Sequence, residues 1–109
     1  MKPIRDDLLR GTLETLVLKT LASDSLHGYG IARWLEQRHE ALQIEEGSLY
    51  PALYRLEKKG WISADWGRSE LGRRAKFYSL TEVGEQQLAE RTDRWLTFAE
   101  AVTCVLQEA

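Results

Sequence analysis

The hydrophobic period of this chain changes at Gly60, and that change limits the folds open to it. Before Gly60, apolar residues recur every three or four positions, as on helices; after it they alternate, as on strands. In Glu46–Gly60, EGSLYPALYRLEKKG, the residues Leu49, Leu53 and Leu56 share one helical face. Gly47 or Ser48 offers a start. Pro51 then falls in the first turn, where its missing N–H leaves no bond unmade. Lys58 and Lys59 suit the negative end of the helix dipole, and Gly60 suits the position just past it. The opposite face is expected to carry Ser48, Ala52, Arg55, Lys58 and Lys59, with Tyr50 and Tyr54 at its flanks. Cations for phosphates and guanine edges, a hydroxyl and small residues are the equipment of a helix that enters the DNA major groove. A solvated amphipathic face would have a similar composition, so the neighbouring segments must decide.

After Gly60, Ile62, Ala64 and Trp66 fall on one face of an alternating run, and Tyr78 and Leu80 do so in a second. Both runs are rich in strand-favouring residues. Between them lie the eight residues GRSELGRR, expected to form a long polar hairpin loop bearing Arg68, Arg73 and Arg74, with Lys76 just beyond. Longer hairpin loops are often functional.

Upstream, Asp6 and Asp7 precede the stripe Leu8, Leu9, Leu13, Leu16, Val17 and Leu21, which predicts a first helix over about Leu8–Ala22. A second is expected over His27–His39, with Ile31, Trp34 and Leu35 inward. Gly28 and Gly30 weaken its start and suggest close approach of another backbone. Leu42–Ile44 reads as a short extended segment. Downstream, Thr81 is an N-cap, and Glu82 and Glu85 suit the positive end of a last helix. On it Leu88, Trp95 and Val102 repeat at seven, with Phe98, Ala99, Val105 and Leu106 alongside. Such a repeat makes a seam for another helix, so this face is expected to form a dimer interface through Leu88, Trp95, Phe98, Val102 and Leu106.

A net charge of −2 argues against nucleic acid, but its distribution does not. Residues 1–46 carry −2, residues 47–80 carry +4 and residues 81–109 carry −4. The positive charge therefore sits where phosphate attraction would need it. Cys104 is the single cysteine, which excludes an internal disulfide and a multi-cysteine metal site. It reads as a filler or exposed thiol. His27 and His39 lack an evident third ligand, and Ser48 lacks an evident base, so neither a metal, a cofactor nor an enzymatic activity is expected. No apolar run approaches membrane-spanning length, and MKPIRDDLLRG lacks a secretory core, so a cytoplasmic protein is expected.

The order helix, helix, helix, strand, basic hairpin, strand, helix is that of a mainly α winged helix-turn-helix domain, residues 1–80, followed by a C-terminal dimerisation helix, residues 81–109. Its expected DNA-binding residues are Ser48, Tyr50, Tyr54, Arg55, Lys58, Arg68, Arg73, Arg74 and Lys76. LLRGTLETLVLKTLA (Leu8–Ala22), HGYGIA (His27–Ala32), GSLYPALYRLEKKGWI (Gly47–Ile62) and RRAKFYSLTEVG (Arg73–Gly84) together resemble the PadR family of bacterial transcriptional regulators. One helix after the wing is similar to the short branch of that family. The resemblance implies a homodimeric repressor on a palindromic double-stranded operator, relieved by an effector. In some members a tryptophan on the last helix stacks on flat aromatic drugs. Trp95, in TDRWLTF, falls in the corresponding stretch, and its first reading is an interface anchor. The competing function is a winged-helix protein-interaction module that never touches DNA; the basic middle third counts against it.

Overall fold

The computed structural model describes residues 11–108. Gly11 and Thr12 form a turn that opens α1, Leu13–Thr20. Gly11 has φ 88°, a left-handed conformation that cannot continue a right-handed helix, so the helix expected from Leu8 does not run through it. Asp6, Asp7, Leu8 and Leu9 lie outside the described residues. Val17 and Leu18 are fully buried, and the buried Thr20 hydroxyl donates back to the Val17 carbonyl at 2.7 Å.

A two-residue strand, β1 (Leu26–His27), leads directly into α2 (Gly28–Arg38). His27 is the N-cap of α2: its Nδ1 accepts the Gly30 backbone N–H at 2.9 Å, as a Ser or Asn oxygen commonly does. The close approach expected at Gly28 is real, but the neighbour is a side chain. A Cβ there would lie 2.7 Å from the Tyr50 hydroxyl. Leu42–Ile44 forms no strand; Ile44 instead drops into the core.

The third helix, α3 (Glu46–Lys58), begins earlier than the glycine and serine suggested. Pro51 therefore lies inside it, beyond the first turn. Both Pro51 and Gly47, whose carbonyl lacks the donor that a non-proline residue would supply, are exposed. Leu49, Leu53 and Leu56 are buried as the period requires. Ala52, expected outward, is fully buried with them. Leu53→Ala should cost roughly 2–5 kcal/mol as a core cavity, read as a lower thermal midpoint before any ligand is added.

Strands β2 (Ile62–Arg68) and β3 (Arg74–Leu80) pair antiparallel, and β1 adds to the other edge of β3, giving the order β1-β3-β2. Register runs from Ile62 opposite Leu80 to Arg68 opposite Arg74. The connecting loop is residues 69–73 alone, closed by the Ser69 N–H donating to the Arg73 carbonyl at 2.8 Å. Arg68 and Arg74, expected in the loop, are the last paired strand residues. Ile62 and Tyr78 face the core beside α1, α2 and α3. Helix α4 (Glu82–Leu106) then runs 25 residues. The Thr81 hydroxyl accepts the Gly84 N–H at 3.0 Å and donates to the Gly60 carbonyl at 2.7 Å, while the Thr81 N–H reaches the Trp61 carbonyl at 3.1 Å. The start of α4 is thus tied to the corner between α3 and β2.

Candidate nucleic-acid interface

With one face of α3 in the core, its opposite face is the line Gly47, Pro51, Tyr54 and Lys58, all exposed and spaced four, three and four apart. Tyr54 is 65% exposed. The Lys58 ammonium lies 5.5 Å from its ring centroid and 3.5 Å from its hydroxyl. Cation and ring therefore form one unit on the outermost part of the helix. Tyr50 sits on one flank, 46% exposed and packed on Gly28 of α2. Ser48 is half-buried at the start of the helix.

The other two helix cations expected outward are turned aside. The Arg55 Nε donates to Glu14 Oε2 of α1 at 2.8 Å, and the Lys59 Nζ donates to Glu14 Oε1 at 3.2 Å. Burial alone would push the Glu14 carboxyl up, but these two hydrogen bonds and charges outweigh it and hold it below the ordinary glutamate range. A carboxyl lowered on folding adds stability above its unfolded pKa and loses it as pH falls through the folded one. The ion pair is therefore intact at neutral pH. Lys76 is likewise engaged: its Nζ donates to Glu57 Oε1 of α3 at 3.0 Å, which raises its pKa.

The wing keeps its arginines open. Paired residues share a face of the sheet, so Trp66, Arg68, Arg74 and Lys76 lie on the side that meets α3 through Lys76 and Glu57. The Arg74 guanidinium stacks 4.3 Å from the Trp66 ring centroid. Arg68 donates Nη1 to the Gly72 carbonyl at 2.9 Å, and Arg73 is exposed in the loop. None of the three has a carboxylate partner among the described residues. Arg68 directly opposite Arg74 is a like-charge cross-strand pair, which disfavours the hairpin unless an anion sits between them. The loop's acid is directed elsewhere. Glu70 Oε2 faces His27 Nε2 at 3.5 Å, and Nε2 carries the ring proton because Nδ1 accepts from Gly30. Its own backbone amide, then His27, holds the Glu70 carboxyl below the ordinary range.

The side chains expected on the dimer seam divide along α4. Leu88 packs against the core, whereas Trp95, Phe98, Val102 and Leu106 are exposed in the single chain. A shallow groove on this helix is lined by Glu90, Asp93, Arg94, Thr97, Phe98 and Ala101, and Trp95 is not part of it. Cys104 is exposed. His39 closes the end of α2, its Nδ1 accepting the Ala41 N–H at 3.0 Å. Among the described residues no group of three potential metal ligands occurs, and no helix is long and apolar enough to cross a membrane. Sequence reasoning missed Glu14 and the His27–Glu70 contact, since both join residues more than forty positions apart.

The family model described as the transcriptional regulator PadR-like family matches residues 17–90. A PadR-like transcriptional regulator from Bacillus cereus superposes with a TM-score of 0.81 at 30% identity, covering 95% of this chain and 100% of that one. A PadR family transcriptional regulator from Eggerthella lenta is 30% identical with a TM-score of 0.77, covering 94% of this chain and 88% of its own. An uncharacterized protein from Lysinibacillus sphaericus is 30% identical over 105 residues, 95% of this chain and 96% of that protein.

Proposed function

Because the chain belongs to the PadR-like family of transcriptional regulators, we propose that it binds a palindromic double-stranded operator as a homodimer and represses transcription from it. In this reading residues 1–80 are the DNA-binding part and residues 81–109 the dimerisation helix. Helix α3 enters the major groove with Tyr54 and Lys58 leading, and the wing lies along an adjacent backbone or minor groove. One observation carries the reading. Among the described residues Arg68, Arg73 and Arg74 stand without carboxylate partners on the wing, and two of them are paired in register. A site that gathers cations at a cost to its own hairpin suits phosphate. A small aromatic effector relieves binding by stacking on Trp95, at the junction between the two copies of α4.

Fluorescence anisotropy with duplex DNA at about 50 and 200 mM salt tests this. Affinity should fall steeply with salt, by a log–log slope of about 0.9 per phosphate contact. Replacing Arg73 and Arg74 together with Ala should lower that slope by roughly 1 to 2 and weaken all sequences alike. The double variant retaining the full slope would remove the wing from the interface. No binding at either salt by the wild type would favour a protein-interaction module.

A further inference from the structure

We propose that Glu14 is a positioning residue that keeps Arg55 and Lys59 off the DNA and so sets how much non-specific affinity the recognition helix has. The proposal rests on the DNA-binding reading above. Its observation is the double ion pair from α1 to α3: one carboxylate, 16% exposed, accepts Arg55 at 2.8 Å and Lys59 at 3.2 Å. Both cations stand on the α1 flank of α3, next to the outward line of Pro51, Tyr54 and Lys58, and both bend back toward α1. Their side chains remain about half exposed, and Glu14 is the one carboxylate among the described residues that holds them from a passing phosphate. Lys59 is further fixed over the Trp61 ring, 4.6 Å from its centroid.

The physics of competition favours the carboxylate. To reach a phosphate, Arg55 or Lys59 must leave a largely desolvated anion, which then stands unpaired beside the negative DNA backbone. Glu14 therefore acts twice, by holding two cations and by repelling the phosphate that would take them. Non-specific binding is electrostatic and grows with every cation offered. Withdrawing two of them lowers binding to random DNA and leaves the outermost positions, Tyr54 and Lys58, to meet the groove first. Specificity over the bulk of the genome benefits, because competing sites are so numerous.

Glu14→Gln keeps the shape and removes the charge. Anisotropy on a labelled duplex of random sequence, between about 50 and 200 mM salt, reads the effect. The variant should bind more tightly than wild type at low salt, with a log–log slope steeper by about 1 to 2, near 0.9 for each further phosphate neutralised. Arg55→Gln in the Glu14→Gln background should take about one unit of that increase away. Alone, Arg55→Gln should leave the wild-type slope unchanged, and this arm does not depend on the stability of the Glu14 variant. A purely structural ion pair would lower the thermal midpoint and leave the slope alone. An unchanged or shallower slope for Glu14→Gln, or a reduced slope for Arg55→Gln alone, overturns the proposal. Wild-type protein that shows no salt-dependent binding instead fails the DNA-binding reading itself.

Discussion

Gly84→Ala should destabilise the protein by about 3 kcal/mol or more, although glycine to alanine inside a helix ordinarily gains about 1 kcal/mol. Gly84 is buried in the first turn of α4, where a Cβ would overlap the Trp61 carbonyl oxygen. It would also lie 3.0 Å from the Trp61 carbonyl carbon and 2.8 Å from Leu80 Cδ1. The obstruction is backbone on one side and a packed leucine on the other. That carbonyl also accepts the Thr81 N–H, so α4 cannot back away without losing its anchor to the corner between α3 and β2. For a domain of this size each 1 kcal/mol moves the thermal midpoint by about 4–8 °C, so a drop well beyond 10 °C is expected. Gly47→Ala is the internal control. A Cβ there meets nothing within 4 Å, so this exposed α3 position should melt at or slightly above wild type. A Gly84→Ala melt equal to wild type would mean that the junction has room to shift.

Local pattern showed most of the fold, and the misses have physical causes. The helix of Leu49, Leu53 and Leu56 was legible because three leucines at helical spacing have one common side. Ala52 was misplaced because a methyl group is compatible with either face, and only packing put it at 0% exposure. The hairpin was legible from alternation, but its loop was overcounted: Arg68 and Arg74 are polar, so they resembled loop although they are paired in register. β1 was missed because two residues carry no period, and pairing with Tyr78 and Phe77 comes from a distant strand. The candidate site was legible as a list of cations and not as an arrangement. Whether a cation faces outward depends on carboxylates far away in sequence, as with Glu14 for Arg55 and Glu57 for Lys76. That is why, of the expected site cations, Lys58 and the wing arginines are the ones without a carboxylate partner among the described residues.

Trp95→Glu should convert a dimer into monomers and take operator affinity with it. Helix α4 is about 37 Å long at 1.5 Å per residue, whereas the molecule's principal extents are 54 × 31 × 21 Å. Its first turns lie against the domain: Gly84 meets Trp61, Leu88 meets the core, and Arg91 stacks 4.8 Å from the Trp61 ring centroid. The same helical face then continues past the domain as Trp95, Ala99, Val102 and Leu106, with Phe98 and Val105 beside it. Trp95 is 45% exposed and Phe98 66%. A row of aromatic and aliphatic side chains this long is costly to leave wet at about 25 cal/mol per Å². A second copy, related by a two-fold axis, would cover it with the same surface. It would also supply the second half-site reader that a palindrome about one helical turn apart demands. Near that axis each Trp95 would be close to its own copy, so Glu there would remove two large rings and place two like charges at the contact. Losing a buried Trp anchor costs about 2 kcal/mol or more, hence about 4 kcal/mol over both copies, roughly a thousand-fold in dissociation constant. Sedimentation equilibrium should find wild-type dimer at micromolar concentration and Trp95→Glu monomer. Cys104→Glu, about half a turn round the helix from Trp95, should stay dimeric and so separates the seam from mere added charge. Wild-type protein that sediments as a monomer at micromolar concentration while binding a full palindrome tightly would overturn the dimer.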